Sequence, residues 1–187
     1  MQDLSLHLLD LAQNSIRAQA KTIQIELDEA LSENRLSLKL WDDGKGMNQK
    51  MAAQVTHPFV TTRTTRKVGL GISLFYQNCL MAGGSFKIQS EPHKGTCIEG
   101  VMQYDHLDRL PIGDVASSLS VLVQGNPHIR FIYIHRYEKK SFLLDTVEIQ
   151  KILGTLPINE PEIIQWLKCY VKAQIAYLSC SCSDVNK

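Results

Sequence analysis

The apolar residues of this chain switch between a helical repeat and a two-residue repeat, and that switching restricts the fold more than any other feature. From Asp3 to about Gln19, Leu4, Leu8, Leu11 and Leu9, Ala12, Ile16 recur every three or four residues, the pattern of an amphipathic helix. Thr22 to Leu27 and Arg35 to Trp41 then alternate, with Ile23, Ile25, Leu27 and Leu36, Leu38, Leu40 on one side of a polar turn, which predicts a strand hairpin. A short helix is expected near Asn48 to Gln54 and another from about Gly71 to Ala82, ended by Gly83 and Gly84. SFKIQS and TCIEGVMQY alternate around EPHKG as a second hairpin, which closes the unit near Tyr104. Helix, two strands, helix, loop, helix, two strands is an α+β order. It predicts a two-layer sandwich with a mixed, mostly antiparallel sheet and helices on one face.

Residues 1 to 104 therefore read as one domain, and 105 to 187 as a small C-terminal α+β extension. In the extension a helical pattern from about Gly113 to Gln124 leads to strand candidates Ile129 to His135 and Ser141 to Leu144, and two further helices follow. The last, about Asn159 to Leu178, carries Ile163, Ile164, Leu167, Val171, Ile175 and Leu178 on one side. That stripe needs a partner, either the sheet of the first unit or a second copy of the chain, which would make a homodimer.

Twenty basic against nineteen acidic residues give a formal charge of +1, so no overall field draws the protein to nucleic acid or an acidic membrane. No apolar run approaches the roughly 18 to 20 residues that span a bilayer, and MQDLSLHLLD lacks the basic start of a signal peptide. A cytoplasmic location is expected. Cys79, Cys97 and Cys169 fall in apolar segments as small hydrophobes, whereas Cys180 and Cys182 lie in a polar tail that reads as oxidisable rather than as a metal half-site.

The chemistry begins on the first helix. His7, Asp10, Asn14 and Arg17 form a polar stripe opposite the leucines, a solvated face by default. Asp10 and Asn14, one turn apart, set a carboxylate beside a neutral amide oxygen, a pairing suited to a hard cation that keeps waters and phosphate oxygens. Asp42-Asp43-Gly44-Lys45-Gly46-Met47 follows directly on a strand, where a carboxylate can accept from an exocyclic amine while glycines let the backbone approach. Arg63-Thr64-Thr65-Arg66-Lys67-Val68-Gly69-Leu70-Gly71 places three cations ahead of glycines that open a helix, a phosphate site in outline. Its glycine spacing matches neither a Walker loop nor a dinucleotide fingerprint.

In order and spacing these segments resemble the GHKL ATPases, the class of gyrase, Hsp90, histidine kinases and MutL, whose ATP-binding domain has the Bergerat fold. LLDLAQNSIRAQA is similar to their N box, DDGKGM to the first glycine box, HPFVTTR to the F-box and lid, VGLGISL to the second glycine box and KGT to the closing Gly-Thr turn. The resemblance covers roughly residues 5 to 100. It implies ATP and Mg2+ as cofactors, with Asn14 as the metal ligand and Asp42 as the partner of the adenine amino group. Gly44 and Gly46 would shape the base pocket and Thr96 would help to hold the base. Gly69, Leu70 and Gly71 would meet the phosphates, and Thr62, Arg63, Arg66 and Lys67 would belong to the lid.

Asp10 stands where hydrolytic members carry a glutamate that activates water, and it is one methylene shorter. The chain begins almost at the N box, so the expectation is a stand-alone protein kinase or slow ATPase acting on a protein partner or phosphoacceptor. The alternative is a non-catalytic, ATP-sensing interaction module. His106-Leu107-Asp108-Arg109-Leu110-Pro111 shares its His, Arg and Pro spacing with the phosphoacceptor box of histidine kinases. The plainer reading is a strand-to-helix turn in which Pro111 opens the next helix.

Overall fold

The computed structural model describes residues 2–55 and 70–180. Helix α1 spans Leu4–Arg17, and the Asp3 carboxylate caps it by accepting from the Leu6 amide at 2.9 Å. Strands β1 (Thr22–Ala30) and β2 (Arg35–Asp42) are joined by a single 3-10 turn, Leu31–Glu33, closed by Asn34 in the left-handed region. Helix α2 (Gln49–Gln54) is capped by Asn48, and α3 runs Leu70–Met81. Strands β3 (Ser85–Glu91) and β4 (Gly95–Gln103) form the second hairpin. Beyond it come α4 (Val115–Gly125), β5 (Arg130–Tyr137), β6 (Lys140–Asp145), α5 (Thr146–Leu153) and α6 (Pro161–Cys180).

All six strands belong to one sheet, in the order β3-β4-β2-β1-β5-β6. Every neighbouring pair is antiparallel except β1 and β5, which run parallel with Ile25 opposite Tyr133. The alternation read in the sequence sets the faces: Ile23, Ile25 and Leu27, Leu36, Leu38 and Leu40, and Phe131 and Tyr133 are all buried. Leu4, Leu8, Leu11 and Ala12 of α1, Ile72 and Phe75 of α3, Leu119 and Leu122 of α4 and Leu167 and Val171 of α6 complete one core with them. Each such side chain removed from water contributes about 1.5–3 kcal/mol, so this layer of helices is what keeps the sheet folded. The other face carries the ion pairs Arg35–Asp28 and Arg136–Glu26, both at 2.8 Å.

The α+β sandwich is as expected, and three local expectations are corrected. Pro111 does not open a helix; α4 starts at Val115, capped by Asp114. The reason lies in α1, whose first amides are used by this segment: Leu4 N–H donates to the Pro111 carbonyl at 2.9 Å and Ser5 N–H to that of Ile112 at 2.8 Å. His7 is not on a solvated stripe but fully buried between α1 and α3, its ring 5.4 Å from that of Phe75. Cys169 is exposed on α6 rather than packed. The surface that receives α6 is α4 together with β5 and β6.

Glu29, which the alternation places on the core side of β1, is buried with the partners it needs. Tyr104 donates its hydroxyl to Glu29 Oε2 at 3.0 Å, His135 Nε2 lies 2.8 Å from Oε1, and Tyr133 Oη lies 2.7 Å from His135 Nδ1. With a neutral imidazole, three donors meet three acceptors and no polar atom of the group is left unsatisfied.

Candidate functional site

Asp42 ends β2 with its side chain on the core face, beneath α1 and only 3% exposed. Both of its oxygens are occupied on the protein side. Ser15, on α1, donates its hydroxyl to Oδ2 at 2.7 Å, and the Gly44 amide donates to Oδ1 at 2.9 Å. Burial pushes the Asp42 carboxyl above the ordinary carboxylate range, opposed by these two hydrogen bonds. Thr96 stands directly across the ladder from Asp42, and its hydroxyl lies 2.9 Å from that of Ser90.

The turn after Asp42 is held from two sides. Asp43 Oδ1 accepts from the amides of Lys21 at 2.7 Å and Thr22 at 2.9 Å, and Lys45 N–H donates to the Ala18 carbonyl at 2.9 Å. Gly44 packs against Ala18. Gly46 adopts φ +63°, and a Cβ there would lie 1.9 Å from the Glu91 carbonyl oxygen, so no other residue fits against the β3–β4 turn.

Asp10 and Asn14 lie on the side of α1 that meets α3. A Cβ on Gly71 would fall 1.4 Å from Asp10 Oδ2, which means the carboxylate rests on the bare backbone of the first turn of α3. The Asn14 Oδ1 accepts from exposed Arg17 at 3.3 Å, and its Nδ2 is buried without a partner among the described residues. Gly71, Asp10, Asn14, Ser15, Asp42 and Thr96 thus form one line from the start of α3 across α1 to β4. Leu70 begins α3. Thr62, Arg63, Arg66, Lys67 and Gly69 lie outside the described residues, as does Cys182.

A cavity of about 600 Å³ adjoins this line at its β4 end, bordered by Thr96, Ser90, Ile88, Gln49 and Ala52. Asn14 and Asp42 are not in its wall. His106 is at the other end of the sheet. Tyr104 N–H bonds to the Asn34 carbonyl at the start of β2, and the length of that strand separates His106 from Asp42 by roughly 23 Å. The residue that sequence reasoning missed is Ser15. Its signal was its place beside Asn14 on the buried side of an amphipathic helix, where a hydroxyl needs a partner.

The sequence profile of the histidine kinase-, DNA gyrase B- and HSP90-like ATPases matches residues 2–105. The chain belongs to this family. With membership comes ATP binding, and the matched span of this GHKL chain contains every residue of the line above. Sporulation kinase D of Bacillus subtilis (strain 168) is 29% identical over 89 residues, 48% of this chain and 17% of the relative. The GHKL chain therefore aligns with under a fifth of that kinase's length.

Solved structures extend the likeness of fold past residue 105. The N-terminal domain of a DNA repair protein superposes with a TM-score of 0.54 at 19% identity, over 84% of this chain and 59% of that one. The MutL ATPase domain of Aquifex aeolicus, complexed with ADP, gives 0.50 at 13% identity over 83% and 70%.

Proposed function

We propose that this GHKL chain binds ATP with Mg2+ along the line from Gly71 to Thr96 and uses it as a protein kinase or slow ATPase, in the cytoplasm, on a protein partner. The observation that carries the reading is the buried Asp42 carboxylate, held by Ser15 and Gly44 at the end of β2. An ionised carboxylate held by protein donors can still accept a further hydrogen bond, and the exocyclic amine of adenine is a donor that matches it. Gly44 and Gly46 then admit the base close to the backbone, with Thr96 at its edge.

The metal fits the residues present. The Asn14 oxygen, the atom a hard cation would take, holds only a 3.3 Å contact with Arg17, and Asp10 lies one turn away. Bound there, Mg2+ would neutralise phosphate charge. Asn14 would hold it, Gly69, Leu70 and Gly71 would offer backbone amides at the start of α3, and Thr62, Arg63, Arg66 and Lys67 would close over the phosphates. Asp10 is the candidate base for water or an incoming hydroxyl.

A second reading is an ATP-sensing module without chemistry, with residues 105–187 as the unit that contacts a partner or a second copy. It is favoured by the same Asp10, shorter than glutamate and resting on Gly71.

Incubating the protein with γ-labelled ATP and Mg2+, alone and with cell extract, separates these outcomes. Label on a protein supports the kinase, free phosphate the ATPase, and tight binding without either supports the sensing module. Calorimetry showing no Mg2+-dependent uptake of ATP would remove all three.

A further inference from the structure

The Ser15 hydroxyl has a choice of acceptors. A serine inside a helix ordinarily donates to the carbonyl four residues back; here the Leu11 carbonyl is 3.5 Å away and Asp42 Oδ2 is 2.7 Å away. One hydroxyl proton serves one acceptor, and the short bond to the carboxylate takes it. Ser15 is itself 3% exposed, so water does not compete. Resting on the ATP-binding reading above, we propose that Ser15 is a positioning residue for base selection: its hydroxyl holds Asp42 as an acceptor-only carboxylate and so admits adenine while refusing guanine.

The argument is one of donor inventory. An ionised Asp42 accepts and cannot donate, which suits the amino group on the adenine six-ring and opposes the carbonyl that guanine carries at that position. A protonated Asp42 would carry a hydroxyl able to donate to that carbonyl, and the distinction would blur. A buried site built to satisfy one pattern rejects the ligand that leaves its groups unpaired. What decides selectivity is therefore whether Asp42 stays charged in a buried place. Burial and the neighbouring Asp43 favour the proton; Ser15, the Gly44 amide and the Thr96 backbone oppose it. From β4 the nearby titratable group is Cys97, whose own thiol is raised mainly by burial. Ser15 is the one side-chain donor among these.

The test uses the full chain and compares Mg·ATP with Mg·GTP by calorimetry from pH 5.5 to 8.5, for wild type, Ser15→Ala, Ser15→Cys, Ser15→Thr and Asp42→Asn. Cysteine keeps the volume with a poor donor, so it stands in if the alanine variant fails to fold. Ser15→Ala and Ser15→Cys should weaken ATP about tenfold and narrow the ATP-to-GTP ratio. They should also move the acid limb of ATP binding to higher pH than in wild type; titration of the phosphates is common to all variants and cancels. Ser15→Thr, which restores the hydroxyl, should return all three towards wild type. A wild-type pH limb and a wild-type base ratio in both Ser15→Ala and Ser15→Cys, with Asp42→Asn abolishing ATP binding, would overturn the role of Ser15 alone. Full ATP binding by Asp42→Asn would instead strike the adenine reading on which it rests.

Discussion

His7 has its Nε2 accepting from the Asn78 amide at 2.7 Å, while its Nδ1 is buried with no partner among the described residues. Burial is the main cause that lowers its pKa from 6.5 to about 4. An unfolded chain takes up this proton near pH 6.5 and the folded one only near pH 4, so the group's contribution is complete above 6.5 and is lost as pH falls towards 4. The full difference is on the order of 3 kcal/mol. Urea unfolding followed from pH 7.5 to 4.5 should show that decline, and His7→Leu should flatten it; parallel curves for the two proteins would refute the assignment. The position illustrates how unevenly residues could be read. Asp10 and Asn14 stood out because a carboxylate and an amide lie one helical turn apart, and Asp42 because it closes a strand just ahead of two glycines. His7 shares that spacing and is core, because only the approach of Phe75 and Asn78 decides which side of α1 is covered.

The seam between α1 and α3 decides how the two halves of the candidate site meet. Gly71 brings the start of α3 onto Asp10 with no side chain between them, so Gly71→Ala must push the helices apart. The expected cost is about 1–3 kcal/mol of stability, read as a lower melting temperature, together with at least a tenfold loss of ATP affinity. Shortening the opposing side chain should relieve the overlap: Asp10→Gly combined with Gly71→Ala should recover stability relative to Gly71→Ala alone. No recovery in the double variant would mean that the contact is not the cause. Elements of this kind were legible as spans, since α1, α3 and both hairpins fall where the periodicity puts them. Their ends were less so. The first strand runs on to Ala30 through Asp28 and Glu29, residues that read as turn until Tyr104 and His135 supply partners for the buried carboxylate. Pro111 is the converse case, a helix opener by local rule whose carbonyl is taken by Leu4.

Across the whole molecule, the strand that carries Ile23, Ile25 and Leu27 is central, with β2 on one side and β5 on the other. The family match ends at residue 105, yet β5 and β6 lie beyond it. No local pattern could announce this, because a parallel partner reached through a crossover leaves no mark on the sequence near β1. Truncation after residue 105 should strip β5 from β1, uncover the side of α1 on which α4 packs, and leave Glu29 without its His135 partner. The truncated protein should fail to melt cooperatively and should expose dye-binding apolar surface. A sharp melt with retained ATP binding would show that residues 1–105 suffice.

The parallel pairing of β1 with β5 also bears on the order of events at the ribosome. Ile25 leaves the exit tunnel long before Tyr133, its neighbour in the finished sheet, so the nascent nucleotide-binding half waits with one edge of its middle strand bare. Long-range pairing of this sort is slow and leaves an adhesive edge open meanwhile. Early termination anywhere before Tyr137 would release a fragment that aggregates rather than a smaller ATP-binding domain.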